Sequence, residues 1–154
     1  RAGSCAMAIR QPCGVVLSLA PWNAPIVLSV RSIATPLACG NTVVLKGSET
    51  CPRTHGLIVE ALAEAGFPKG VVNHVTHAAA DAPAVVEAMV AHPAVRRVNF
   101  TGSTKVGRAV ALVCAQHLKP VVLELGGKAP LVVLDDADLD SAVNAAAFGA
   151  FANS

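Results

Sequence analysis

The strongest constraint on the fold is an alternation: short apolar, β-branched runs keep giving way to helix-patterned stretches, with Gly or Pro at the joins. Gly14 to Leu19 reads as a strand closed by Pro21, and Val30 to Ala38 as a helix stopped at Gly40. Asn41 to Lys46 is short and β-branched, which predicts a buried strand. Pro52 to Ala65 has Pro at its start, Leu57 and Leu62 on one face and Gly66 just past its end, so it reads as a helix. The cycle repeats with strand Val71 to Val75, then a helix capped by Asp81 and running to about Ala91 before His92-Pro93. Strand Val95 to Phe100, helix Thr104 to His117 and strand Pro120 to Leu125 follow. A further strand is expected over Leu131 to Leu134 and a last helix over Leu139 to about Ala152, with Asp135, Asp136 and Asp138 suiting its N-terminal dipole. Repeated strand–helix–strand units predict an α/β fold: a Rossmann-like, mostly parallel sheet with helices on both faces. A boundary is expected near Gly126-Gly127, with residues 1–126 forming the sheet domain and 127–154 opening a second.

Composition excludes several function classes. The chain is 53% hydrophobic and 14% charged, against about 25% charged in an average domain. That implies a sheet-centred interior and apolar faces that belong against parts of a longer protein. A net charge of +2, scattered Lys and Arg and few aromatics argue against nucleic acid as a partner. The sequence has no uninterrupted apolar run of about 18 residues, so no membrane span is indicated. No secretory leader pattern is present, and the expected setting is cytoplasmic. The cysteines, at 5, 13, 39, 51 and 114, form no Cys-x-x-Cys and show no His at a metal-ligand spacing. They read as reduced structural thiols, with no metal site.

In doubly wound sheets, ligands bind where strands end. Lys46, Thr101 to Ser103 and Glu124 all fall at predicted strand ends, so they should share one edge. Gly102-Ser103-Thr104-Lys105-Val106-Gly107 is a strand-to-helix turn, readable as a phosphate cradle or as a tight turn with a Ser/Thr cap. Arg108-Ala109 after the second Gly disfavours a P-loop phosphotransferase, and the run is not Gly-x-Gly-x-x-Gly. Lys46 and Glu49 flank Gly47-Ser48 and form either a solvated pair or a polar ligand cluster. Asn23, after Pro21-Trp22, is either a turn residue or an amide donor suited to an oxyanion. Glu124 ends an apolar strand; burial there would make its carboxylate a stronger proton acceptor, suiting a general base, unless Lys119 or Lys128 pairs with it. The five histidines form no constellation and read as structural or solvated.

Taken in order, Pro21-Trp22-Asn23, Leu45-Lys46-Gly47-Ser48-Glu49, Phe100-Thr101-Gly102-Ser103-Thr104 and Glu124-Leu125-Gly126-Gly127-Lys128 resemble the aldehyde dehydrogenase superfamily over nearly the whole chain. The resemblance implies oxidation of a small aldehyde to the acid through a thiohemiacetal and a thioester, by a homo-oligomer. It makes residues 1–126 the NAD-binding domain and 127–154 the start of the catalytic domain. Asn23 becomes the donor to the tetrahedral oxygen, and Pro21 and Trp22 line the nicotinamide channel. Lys46 and Glu49, with Ser48 beside them, hold the adenosine ribose; Glu49 would repel a 2′-phosphate, so NAD is favoured over NADP. Gly102, Ser103 and Val106 form the pyrophosphate turn. Glu124 activates the water that hydrolyses the thioester, and Leu125 and Gly126 bring the backbone to the cofactor.

Segments such as Gly70-Val71-Val72-Asn73, His92-Pro93-Ala94-Val95-Arg96-Arg97-Val98-Asn99 and Lys128-Ala129-Pro130-Leu131 are most similar to the salicylaldehyde and vanillin dehydrogenase branch, which implies an aromatic substrate. One departure is Thr76-His77, where many relatives carry Pro-Gly beside the cofactor; His77 would narrow the adenine-side groove or contact the nucleotide.

In the family a Phe-x-Asn-x-Gly-Gln-x-Cys segment supplies the nucleophile. Phe151-Ala152-Asn153-Ser154 match its first half, which puts the cysteine four positions beyond Ser154. The expectation is therefore an interior fragment, inactive alone, of an enzyme active at full length. The alternative is a non-catalytic nucleotide-binding or scaffold relative, distinguished by a residue other than Cys at that position.

Overall fold

The computed structural model describes residues 3–152, so Asn153 and Ser154 of the nucleophile-like segment lie outside the described residues. The elements alternate as expected: β1 (Val15–Leu19), α1 (Pro25–Ala38), β2 (Thr42–Lys46), α2 (Pro52–Glu64), β3 (Val72–Val75), α3 (Ala82–Ala91), β4 (Val95–Thr101), α4 (Thr104–Gln116), β5 (Val121–Glu124) and α5 (Leu139–Phe151). The five strands form one parallel sheet in the order β3-β2-β1-β4-β5. The chain winds outward from β1 to β3, then returns to build β4 and β5 on the other side. That reversal places the topological switch, and its crevice, between β1 and β4.

Strand periodicity divides the core between two faces. Leu17 and Leu19 of β1 and Val98 and Phe100 of β4 pack on Val90 of α3 and Val110 and Cys114 of α4. Ala20, Val43 and Leu45 point the other way, onto Ile33 of α1, with Ile58 and Leu62 of α2 against them. The alternation is what a sheet covered on both faces requires. Asn41 fastens the beginning of β1 to the end of α1: its Oδ1 accepts from the Cys13 and Gly14 amides at 2.7 and 3.1 Å, and its Nδ2 donates to the Pro36 carbonyl at 3.0 Å.

Several boundaries differ from expectation. α1 starts at Pro25 rather than Val30, because Pro at the first helical position has its φ pre-set and no amide to waste. Asp81 occupies the position before α3, but its side chain makes no capping bond. A 3-10 turn over Ala79–Asp81 leaves its backbone helical (φ −89°, ψ −8°), not in the extended form that aims a cap at the next amides. Leu131 to Leu134 is not a strand; the segment is irregular and exposed. A β-rich sequence becomes a strand only beside another, and no ladder partner stands next to it among the described residues. α5 is capped by Asp138, whose Oδ1 accepts from the Ser141 amide at 2.8 Å. Hydrogen bonding from the Ser141 amide, and then from its hydroxyl, holds the Asp138 carboxyl below its ordinary range. Yet α5 buries no residue, and Leu139, Val143 and Phe148 are exposed along it. No helix among the described residues is long and apolar enough to cross a membrane.

Candidate active site

Strand register brings the sequence-selected residues to one edge. Leu19 pairs with Lys46 on one side and Phe100 on the other, and Thr101 pairs with Glu124, so β2, β1, β4 and β5 finish nearly level. Two bonds extend the ladder into the loops: the Ala20 amide donates to the Lys46 carbonyl at 3.2 Å, and the Gly102 amide to the Glu124 carbonyl at 3.0 Å. Pro21, Trp22 and Asn23 form the bend between β1 and α1, at the switch crevice. Trp22 and Asn23 are exposed, so the amide is available to a ligand.

Lys46 belongs to the face of β2 that meets α3 and α4. With Leu19, Phe100, Pro83, Val86 and Val106 it lines a cleft of about 450 Å³ between those helices. Its side chain is largely buried and lies 3.9 Å from Glu49. Burial pushes the Lys46 ammonium below the ordinary lysine range, and the Glu49 carboxylate acts in the opposite direction. The solvated-pair reading therefore fails for Lys46, while Glu49 stays exposed. Ser48 is buried, and its Oγ accepts from the Thr50 amide at 3.2 Å, so in this conformation it shapes the turn.

Ser103 caps α4: its Oγ accepts from the Val106 amide at 3.3 Å. The cap reading and the phosphate reading occupy the same place, because the remaining first-turn amides still point outward. Leu125 packs on this turn so closely that a Cβ on Gly107 would lie 2.4 Å from Leu125 Cδ2, so a larger residue there would have to displace the Leu125 side chain.

Glu124 departs from expectation. β5 is an edge strand, and the carboxylate is exposed, so this chain does not supply the apolar enclosure read from Val-Val-Leu-Glu-Leu. Neither Lys119 nor Lys128 forms an ion pair with it among the described residues. Lys119 Nζ instead donates to the Val95 carbonyl at 2.7 Å and the His92 carbonyl at 3.3 Å. Glu124 borders an open groove of about 470 Å³ with Thr101, Val122 and Ser32. That groove faces α1, whereas the Lys46 cleft faces α3 and α4; the sheet edge lies between them. Gly126 has only Thr104 Oγ1 near a notional Cβ, at 3.9 Å, and Gly127 has nothing, so close backbone approach is not demanded within this chain.

Two groups of residues escaped the sequence reading. One is the apolar lining of the Lys46 cleft apart from Val106, drawn from α3 and the rest of α4. The other is a buried polar cluster under the Lys46–Glu49 turn. Ser29 Oγ lies 2.7 Å from His55 Nδ1, Cys51 Sγ lies 3.4 Å from His55 Nε2, and the His55 and His74 ring centroids are 6.3 Å apart. Only Cys51 and His55, one helical turn apart, were visible as neighbours in sequence. His77 follows β3; its Nδ1 bonds to the Ala78 carbonyl at 2.7 Å, and its Nε2 is buried without a partner.

Comparison with known proteins identifies the family and the fold. The aldehyde dehydrogenase family model matches residues 1–154. A vanillin dehydrogenase of a Pseudomonas species is 68% identical over 151 residues, which are 98% of this chain and 31% of the relative. The crystal structure of a Pseudomonas putida G7 salicylaldehyde dehydrogenase complexed with salicylaldehyde superposes with a TM-score of 0.91 at 54% identity, covering 93% of this chain and 30% of that one. The NAD+ complex of a Bacillus cereus aldehyde dehydrogenase gives a TM-score of 0.84 at 43% identity, covering 93% and 28%. The chain thus spans under a third of the length of these relatives.

Proposed function

Because the chain belongs to the aldehyde dehydrogenase family, we propose that it is the nucleotide-holding part of an enzyme that oxidises an aromatic aldehyde to its acid with NAD. The observation that supports this most is the convergence of Asn23, Lys46, Glu49, Ser103 and Glu124 on one sheet edge, reached through strand register rather than sequence proximity. The donor set fits a dinucleotide: an apolar cleft for a flat base, a cation and a carboxylate beside it, and a helix N-terminus farther along. When bound, NAD accepts the hydride leaving the substrate carbon. Lys46 and Glu49 hydrogen-bond the ribose hydroxyls, and the Ser103 turn, with Gly102 and Val106, holds the pyrophosphate. Pro21 and Trp22 flank the nicotinamide path, and Leu125-Gly126 carries the backbone past it. Asn23 Nδ2 donates to the oxygen that gains charge when a cysteine thiolate adds to the carbonyl. Glu124 then takes a proton from the water that cleaves the thioester. Residues 1–126 form the nucleotide domain and 127–154 open the catalytic domain; the working enzyme is a cytoplasmic homo-oligomer.

The aromatic substrate rests on the salicylaldehyde and vanillin dehydrogenase relatives. In the full-length enzyme, kcat/KM for vanillin or salicylaldehyde should exceed that for acetaldehyde by about tenfold or more, the scale on which a shaped pocket discriminates. An aliphatic preference discards the aromatic assignment. No dehydrogenase turnover at all, with nucleotide still bound, points instead to a non-catalytic relative.

NAD over NADP rests on Glu49, exposed beside Lys46 where a ribose 2′-phosphate would meet a carboxylate. The ratio of kcat/KM for NAD to that for NADP should be well above one and should shrink in Glu49→Gln, which keeps the hydrogen-bonding shape and removes the charge. A wild-type preference for NADP contradicts this assignment.

A further inference from the structure

We propose that the buried imidazole of His55 is a positioning residue: it fixes the turn Lys46–Glu49 against α1 and so sets how tightly the site holds the ribose hydroxyls of the dinucleotide. The inference rests on the reading that Lys46 and Glu49 hold that ribose.

A series of hydrogen bonds, linked through the backbone of Ser32 and Ser29, leads to His55 from the middle of the sheet. Ser18 Oγ, on β1, donates to the Ser32 carbonyl at 3.0 Å. Ser32 Oγ donates to the Ser29 carbonyl at 2.9 Å. Ser29 Oγ and His55 Nδ1 share a hydrogen at 2.7 Å, and His55 Nε2 meets Cys51 Sγ at 3.4 Å. Ser18, Ser29, Ser32 and His55 are all buried. The series crosses from β1 through α1 to Cys51, the residue just before α2 and two positions after Glu49.

The turn itself rests on the same ring. A Cβ on Gly47 would lie 2.8 Å from both Cγ and Cδ2 of His55 and 2.9 Å from His74 Nε2. Gly47 therefore lets the backbone between Lys46 and Ser48 come against the imidazole with no room for a side chain, so the ring forms part of the floor of that turn. A leucine could fill the same volume more cheaply, since buried polar groups cost free energy unless paired. What a leucine could not do is fix an orientation. A neutral imidazole donates at one nitrogen and accepts at the other, so it is held at both ends in one rotamer.

The charged and titratable groups around it are Lys46 on the turn, Cys51 just before α2 and His74 on β3, with Glu49 beside Lys46. Burial, then His74, then Lys46 push His55 below the ordinary histidine range, which keeps it in the neutral form that this bridging needs.

The test uses the full-length enzyme, with KM for NAD, KM for aldehyde and kcat measured separately. His55→Leu keeps the packing and removes both bonds; Ser29→Ala removes one. We expect His55→Leu to raise KM for NAD by roughly fivefold or more, the scale of losing one or two buried hydrogen bonds, while kcat and the aldehyde KM stay within about twofold. Ser29→Ala should move the same constant by less, and should add nothing in the His55→Leu background, because the bond it removes is already gone. Lys46→Ala is the control for the underlying reading and should raise KM for NAD directly. If Lys46→Ala raises it and His55→Leu does not, the positioning role is overturned and the ribose reading survives. If Lys46→Ala leaves it unchanged, the ribose reading fails, and the proposal with it. A uniform loss of kcat and both KM values in His55→Leu would mark a merely structural residue. Should His55→Leu fail to fold, the NAD-specific shift in Ser29→Ala decides alone.

Discussion

The 154 residues purified alone are expected to make no NADH from saturating NAD and aldehyde. Covalent aldehyde oxidation needs a thiolate beside the oxyanion donor and the base, and none of the five cysteines meets that need. Cys114 is fully buried in the α4 face of the core, and burial pushes its thiol up, away from the reactive form. Cys13 and Cys39 lie before β1 and after α1, at the sheet edge opposite Asn23 and Glu124; Cys13 Sγ is also bonded to Asn41 Oδ1 at 3.1 Å. Cys5 is exposed, and residues 3–14 before β1 form no regular element. Cys51 alone sits at the correct edge, but burial and then the Glu49 carboxylate raise its thiol, and its sulfur is engaged by His55. The apolar side chains of Leu131 to Leu134 and the uncovered α5 should also drive association, so part of the sample should aggregate. Sustained NADH production that vanishes when one of these five cysteines is replaced would overturn the argument.

How much of this could be read from sequence depended on whether the deciding contact is local. Val43, Leu45 and Leu17 announce buried strands through their own periodicity, and Pro52 and Gly66 mark helix ends by backbone chemistry that acts within a turn. The shared edge of Lys46, Ser103 and Glu124 then follows from a parallel sheet, whose strands all finish on one side; the order β3-β2-β1-β4-β5 depends on long-range pairing and was not legible in the sequence. What failed was tertiary. Leu131 to Leu134 has strand composition, but a strand is a property of two segments, and the second is lacking among the described residues. Glu124 sits in an apolar run, but an edge strand leaves it uncovered. The Ser29–His55 bond joins residues 26 apart, and nothing in the local pattern of α1 or α2 signals it. Asn41 likewise reads as the polar start of a strand, whereas its amide fastens two elements together. The pairing of Cys51 with His55 at one helical turn was the one local hint of the buried cluster.

Replacing Glu124 by Gln in the full-length enzyme should separate the two halves of the reaction. The amide keeps the shape of the side chain at the end of β5 but cannot take a proton, so it removes base catalysis and leaves strand geometry intact. Proton transfer by a positioned base contributes roughly 10²- to 10⁴-fold, and the steady-state rate should fall by about that factor. The earlier step does not draw on Glu124, so a first equivalent of NADH should still appear quickly. The trace is a burst followed by a slow phase, and acyl-enzyme should accumulate, trappable by a small amine nucleophile. Because glutamine has the size and shape of glutamate, the substitution should leave the melting temperature nearly unchanged, which separates lost chemistry from lost structure. Asn23→Ala should behave differently. Its amide serves the oxygen as the sulfur adds, so the burst itself should slow, by about 10²- to 10³-fold for one missing oxyanion donor. Unimpaired turnover by Glu124→Gln would remove the base assignment. A burst that slows equally in both variants would show that Glu124 acts before the acyl-enzyme forms, placing its proton transfer at thiol activation rather than at hydrolysis.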